Sequence, residues 1–147
     1  MTWKPGRGLL GPLKPLLGDW RYEGEHNGGP LVCTRRFETF GKGWVRLDAV
    51  WDMPGVDYRE TAFFGAGEDG ALAFFSFTSD GKRSQGLLAD GSDVDARAVA
   101  FEAQMPQGLA RFIYWPLEDG GSGFRFAVES RTKKGWNRFL VHEYRPA

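Results

Sequence analysis

Nine turn signals divide the chain from residue 19 onward, and they constrain the fold more than any other feature of the sequence. Most contain Asn-Gly, Asp-Gly or Pro-Gly pairs, which suit the positive φ angles of tight hairpin turns. The segments between the turns are short and rich in aromatic and β-branched residues, as is typical of strands. We therefore predict about ten strands, over residues 19–26, 31–40, 44–53, 57–65, 71–78, 83–89, 96–105, 109–116, 123–131 and 136–145.

The hydrophobic pattern within these segments favours an antiparallel meander. In the segment 44–53, the odd positions from Val45 to Met53 are apolar, while Arg46, Asp48 and Asp52 share the other face. Ten hairpin-linked strands in an open sheet would leave two exposed edges, and closure into a barrel removes them. We predict an all-β, up-and-down antiparallel barrel, with a two-sheet sandwich as the alternative.

The chain of 147 residues fits one domain, residues 1–147, with an N-terminal arm over 1–17. Residues 11–17 are the one helical candidate, and they are long enough for a turn or two. We expect this short helical turn to plug one end of the barrel.

The charge balance argues against two classes of partner. Nineteen basic and nineteen acidic side chains give a formal net charge of zero, which provides no overall attraction for nucleic acid or an anionic membrane. A single cysteine cannot form an internal disulfide, and the start of the chain lacks the apolar region of a signal peptide. We expect a cytoplasmic protein that is a monomer or a homodimer.

The two ends of the chain carry a resemblance to a known superfamily. Gly18-Asp19-Trp20 opens the first strand, and the last strand contains Trp136-Asn137-Arg138 and ends at Glu143-Tyr144-Arg145. This combination resembles the calycins, the superfamily of lipocalins and fatty-acid-binding proteins. The resemblance implies that Gly18 and Trp20 close the barrel floor, with Arg138 or Arg145 packed over the indole as a cation–π contact.

Within the calycins, two branches are nearest. One is a bacterial calycin-like family of unknown function, and the other is the nitrobindin family of ten-stranded haem barrels. The segment from Leu17 to Glu25 is similar to the nitrobindin opening, although Tyr22 replaces a glycine. The nitrobindin resemblance implies a haem-ligating histidine on the last strand, where His142 lies. We expect no cofactor, with haem bound through His142 as the alternative; a packed or outward-facing histidine is the simpler interpretation.

The aromatic side chains suggest what the barrel interior could hold. They exceed what turns and strand propensity require, so some must fill the interior or line a cavity for one small ligand. We predict non-catalytic binding of a small hydrophobic or aromatic molecule; a filled interior would instead indicate an interaction module. The predicted ligand-binding residues are Trp44, Trp51, Phe75, Phe101, Phe112, Tyr114, Phe126 and His142.

Four carboxylates around one hairpin allow an enzymatic alternative. Asp48, Asp52, Asp57 and Glu60 flank the turn at residues 54–55. Carboxylates buried at a barrel mouth could act as acid and base in a cofactor-free lyase or isomerase. A solvated rim is the simpler interpretation, because Arg46 can neutralise Asp48 on the same face.

Two further polar residues are assigned no role. His26 ends the first strand beside a glycine-rich turn, where a histidine is usually solvated. A metal site shared with His142 would lack a third ligand. Cys33 lies within a strand without a neighbouring histidine, so we expect a packed thiol rather than a nucleophile.

Overall fold

Ten antiparallel strands close into one up-and-down barrel, as predicted. The computed structural model describes residues 3–147, and β1 pairs with both β2 and β10. A 3₁₀ helix, Gly11–Leu16, precedes the barrel. The strands are β1 Gly18–His26, β2 Gly29–Phe40, β3 Trp44–Met53, β4 Val56–Ala66, β5 Leu72–Thr78, β6 Arg83–Ala89, β7 Val99–Met105, β8 Gly108–Pro116, β9 Phe124–Thr132 and β10 Gly135–Pro146.

Strand alternation decides which side chains enter the barrel. In β2, Leu31, Cys33, Arg35 and Phe37 are all buried, whereas the residues between them are at least partly exposed. Because successive side chains point to opposite faces of a strand, these four side chains face the interior. The other strands except β6 likewise contribute buried side chains to one continuous inner cluster of aromatic and aliphatic residues.

The 3₁₀ helix covers one end of the barrel. Leu13 and Leu16 are fully buried in the inner cluster. The indole N–H of Trp20 donates a hydrogen bond of 2.7 Å to the carbonyl of Leu16. Gly18 has φ +135°, so the turn between the helix and β1 requires a residue without a side chain. The 3₁₀ helix is therefore held against the indole of Trp20 at the point where the chain enters β1.

The start of β7 differs from the sequence prediction. The strand begins at Val99 rather than at residue 96, because Asp95 organises a turn just before it. Its carboxylate accepts the backbone N–H of Arg97 at 2.7 Å, and its carbonyl accepts that of Ala98 at 3.0 Å. The segment 90–98 contributes Val94 and Ala98 to a second apolar cluster, formed by outward-facing residues of the barrel wall: Ala100, Ile113, Trp115 and Ala127.

Candidate functional site

An internal cavity of about 260 Å³ lies within the barrel. Its walls are mostly aromatic and aliphatic, with a few polar groups among them. It reaches the surface at the β5–β6 hairpin, where the exposed residues Lys82 and Arg83 belong to its lining. The other lining residues are Arg35, Leu47, Trp51, Tyr58, Glu60, Ala62, Phe64, Phe74, Ser76, Thr78, Ser84, Phe101, Met105, Phe112, Tyr114, Phe126 and Val128.

Five of the eight predicted ligand-binding residues line this cavity: Trp51, Phe101, Phe112, Tyr114 and Phe126. They come from β3, β7, β8 and β9, so residues far apart in sequence meet around one space. Strand register brings Phe101 opposite Phe112, and Tyr114 opposite Phe126. The Tyr114 and Phe126 rings are 4.7 Å apart between centroids.

Two of the predicted ligand-binding residues lie elsewhere. Trp44 and Phe75 face outward, with ring centroids 6.1 Å apart. Their strand neighbours Val45 and Phe74 take the inner positions and are buried. Since adjacent residues in a strand face opposite sides, Trp44 and Phe75 cannot line the interior.

His142 faces inward and is 6 % exposed, but it does not line the cavity. Its ring stacks on Tyr22 with centroids 3.9 Å apart, and its Nδ1 atom has no hydrogen-bond partner. Burial, and secondly the charge of Arg35, lower the pKa of His142 to about 4. The imidazole is therefore neutral at pH 7. It is a packed aromatic beside the cavity, and no observation favours haem binding through it.

The most unusual polar residue of the site is Arg35, which the sequence analysis did not single out. Its side chain is 4 % exposed and crosses the interior from β2 toward β8 and β9. The Nη2 atom donates a hydrogen bond of 2.7 Å to the hydroxyl of Tyr114, and the guanidinium lies 4.2 Å from the centroid of Phe126. The signal in the sequence was its inward position between Cys33 and Phe37 in an alternating strand.

No carboxylate lies within 4 Å of the Arg35 guanidinium among residues 3–147, and its Nε atom has no hydrogen-bond partner. An arginine keeps its charge when buried. Burial raises the pKa of Tyr114 to about 12, so this phenol remains neutral and cannot act as a counterion. The barrel therefore contains a buried positive charge that has no carboxylate in ion-pair contact among the described residues. The charge of Glu60, farther along the same cavity, compensates it only through space.

Of the four predicted carboxylates, Glu60 alone lines the cavity. It accepts a hydrogen bond of 2.5 Å from the hydroxyl of Ser76 on β5. Asp48 faces outward, where Arg46 and Thr61 donate to it at 2.9 and 2.8 Å. Asp52 and Asp57 are exposed residues that pair across β3 and β4. The structure thus does not bring two of these carboxylates together at the cavity.

The predicted cation over Trp20 is not formed in the described part of the chain. Arg138 lies over the ring of Trp115 instead, at 5.1 Å, and Arg145 forms ion pairs with Asp119 and Glu143. Both arginines face outward, whereas Trp20 faces inward and contacts the ring of Phe124 at 5.2 Å. The end of the barrel is closed by Trp20 and the 3₁₀ helix, without an arginine.

The remaining polar residues considered from the sequence, His26 and Cys33, do not form a functional site. His26 is exposed at the end of β1. Cys33 is fully buried, and burial raises the pKa of its thiol to about 11, so the reactive thiolate is suppressed.

Within residues 3–147, no three His, Cys, Asp or Glu side chains group as metal ligands would. None of the helices over those residues has the length and apolar character needed to cross a bilayer.

The sequence matches no protein-family model and no curated protein. The fold and the site together define a closed ten-stranded antiparallel barrel with an aromatic cavity and one buried, unpaired arginine. The resemblance to calycins stays a prediction that rests on the two ends of the chain.

Proposed function

We propose that this protein binds a small hydrophobic or aromatic molecule inside its barrel, without catalysis. The observation that carries the proposal is the cavity of about 260 Å³ with aromatic walls. Ligand sites in proteins are concave and mostly apolar, with a few polar groups that orient the ligand. Phe64, Phe101, Phe112 and Phe126 supply apolar walls, and the interior polar groups include two hydrogen-bonded pairs, Arg35 with Tyr114 and Glu60 with Ser76.

The polar groups at the cavity favour ligand binding over catalysis. Glu60 is held by Ser76, and no second carboxylate or histidine lines the space for a paired acid–base role. The neighbouring thiol of Cys33 is kept protonated by burial. We therefore treat Glu60 and Arg35 as groups that orient a ligand.

A larger side chain that fills part of the cavity tests the proposal directly. Ala62 lines the cavity, so Ala62→Leu should occupy part of its volume, whereas Ala66→Leu on the same strand changes an exposed position. We expect naphthamide, a neutral two-ring probe, to bind the natural protein and Ala66→Leu equally, measured by calorimetric titration. Ala62→Leu should weaken this binding at least about tenfold, a loss of about 1.4 kcal/mol.

Two outcomes would contradict internal binding. One is equal affinity of Ala62→Leu and the natural protein for naphthamide, which would place the probe elsewhere. The other is failure of every one- and two-ring probe to bind the natural protein. Thermal unfolding of both variants provides the check that each has folded.

A further inference from the structure

We propose that the molecule held in the barrel is a small aromatic acid with one negative charge, and that Arg35 binds its anionic group. This inference rests on the proposed function and names the class of ligand. It follows from the state of Arg35, from the size of the cavity and from the charges around it.

The guanidinium of Arg35 is buried, and its charge is only partly compensated. Removing a guanidinium from water costs several kcal/mol unless an anion or a full set of hydrogen bonds compensates it. In the structure, Tyr114 accepts one hydrogen bond from Arg35, while Nε has no partner. Among residues 3–147, no carboxylate lies within 4 Å of the guanidinium. An anionic ligand would supply the missing partner.

The guanidinium of Arg35 is also held in a fixed position. The hydroxyl of Tyr114 accepts from Nη2, and the ring of Phe126 covers the guanidinium at 4.2 Å. All three residues line the cavity. A guanidinium so oriented needs little reorganisation to donate two parallel hydrogen bonds to a carboxylate.

Glu60 limits the number of negative charges that the cavity accepts. Strand register places Arg35 opposite Ala49, and Ala49 opposite Glu60, so Glu60 lies two strands from Arg35 in the same row. Two strand spacings correspond to about 10 Å between the backbones, and the Glu60 carboxylate acts on Arg35 through space as a partial counterion. One negative charge on the ligand would complete the compensation of Arg35, whereas a second would be repelled by Glu60. The cavity therefore favours a monoanion over a dianion.

The size of the cavity and its opening also favour a small anion. A cavity of about 260 Å³ lies just below the range of roughly 300–1,000 Å³ that is typical for drug-sized ligands. It suits a molecule of one or two rings. Lys82 and Arg83 lie where the cavity reaches the surface; Lys82 forms a long ion pair of 3.7 Å with Asp80, whereas Arg83 forms no ion pair within residues 3–147. Positive charge at the opening favours the approach of an anion.

The test compares two probes of the same shape, naphthoate with its carboxylate and naphthamide with a neutral amide. At pH 7, calorimetric titration should show that the natural protein binds naphthoate at least about tenfold more tightly, as charged hydrogen bonds predict. Arg35→Met should lose this preference while keeping its affinity for naphthamide. Arg46→Met, on the outer face, is the matched control and should keep the preference.

Each result separates the two proposals. Equal binding of both probes by the natural protein would overturn the role of Arg35 and leave the proposed function standing. Binding of neither probe, and of no other one- or two-ring probe, would overturn both. Retained preference in Arg35→Met would also overturn the inference, and Arg35→Gln provides a second variant in case the first does not fold. Naphthalenedicarboxylate, a dianion, should bind more weakly than naphthoate, and equal binding would exclude the monoanion preference.

Discussion

Two buried arginines of this barrel have opposite surroundings. Arg111 points outward from β8, is 1 % exposed, and contacts Glu129 at 2.6 Å and Asp93 at 2.7 Å. Its guanidinium also lies 4.4 Å from the centroid of the Trp136 ring. Arg35 points inward from β2 and has a phenol hydroxyl and an aromatic face but, in the described part of the chain, no carboxylate within 4 Å.

The two arginines therefore differ in how their buried charges are compensated. Arg111 connects the 90–98 segment to β9, because Asp93 lies in that segment and Glu129 on that strand. Its charge is compensated within the protein, so its role is structural. Arg35 is compensated incompletely, which costs stability and is consistent with a group that receives its partner from outside.

The largest expected effect comes from removing the compensated arginine. Arg111→Met leaves Glu129, which is 3 % exposed, with Arg138 at 3.0 Å as its remaining cation. Because Arg138 still compensates part of this charge, the free energy of unfolding should fall by an amount at the lower end of the roughly 3–5 kcal/mol that breaking a buried ion pair costs. Chemical denaturation measures the loss. Arg125→Met is the control, because Arg125 forms only long contacts of 3.8 Å, and it should change stability little. Equal effects of both variants would contradict the structural role of Arg111.

Low pH should lower the stability of the folded protein because the buried His142, which lies near Arg35, resists protonation. The ordinary histidine pKa of 6.5 is lowered to about 4 in the folded protein, chiefly by burial and then by Arg35. Between these values, the unfolded chain binds a proton that the folded protein does not. Stability should therefore fall as the pH drops from 6.5 to 4, by at most about 3 kcal/mol.

Denaturation curves at several pH values test this dependence. In His142→Phe the part of the loss due to His142 should vanish, whereas His26→Gln, at an exposed position, should leave it unchanged. Arg35→Met should raise the pKa of His142, since it removes a nearby positive charge. An unchanged pKa in that variant, measured by NMR titration, would show that Arg35 does not act on His142.

Removing Arg35, which has no carboxylate in contact within residues 3–147, should not lower the free energy of unfolding as removing Arg111 does. Arg35→Met alone leaves the hydroxyl of Tyr114 without its donor, so we combine it with Tyr114→Phe. Replacing both members of a buried polar pair is often neutral or stabilising. We expect the double variant to be as stable as the natural protein, or more stable by up to about 2 kcal/mol. A loss above about 1 kcal/mol in chemical denaturation would mean that Arg35 is a structural residue like Arg111.

The smallest effect should come from the exposed partner of Arg111. Asp93 has a side chain that is 56 % exposed, and its hydrogen bond from Arg111 lowers its pKa. Exposed ion pairs contribute little, so Asp93→Asn should cost less than about 1 kcal/mol. Glu129→Gln, at the buried partner, should cost clearly more. Equal losses in the two variants would show that burial does not decide the value of these pairs.

Local sequence patterns determined the strands of this protein. The turn signals and the alternation of apolar residues, as in Val45 to Met53, indicated ten strands and the closed barrel. They also predicted that Trp51, Phe101 and Phe126 face the same interior. The physical reason is that side-chain period and turn conformation depend on residues close in sequence.

Contacts across the barrel were decided by the tertiary structure alone. Arg35 and Tyr114 are 79 positions apart, and they meet only because the sheet closes. The pairing of Arg111 with Glu129 depends on the register of β8 against β9. A sequence pattern assigns a charged side chain to a face, but the closure and register of the strands decide whether it finds a counterion there. That difference gives Arg111 two carboxylates in contact and leaves Arg35 without one among residues 3–147.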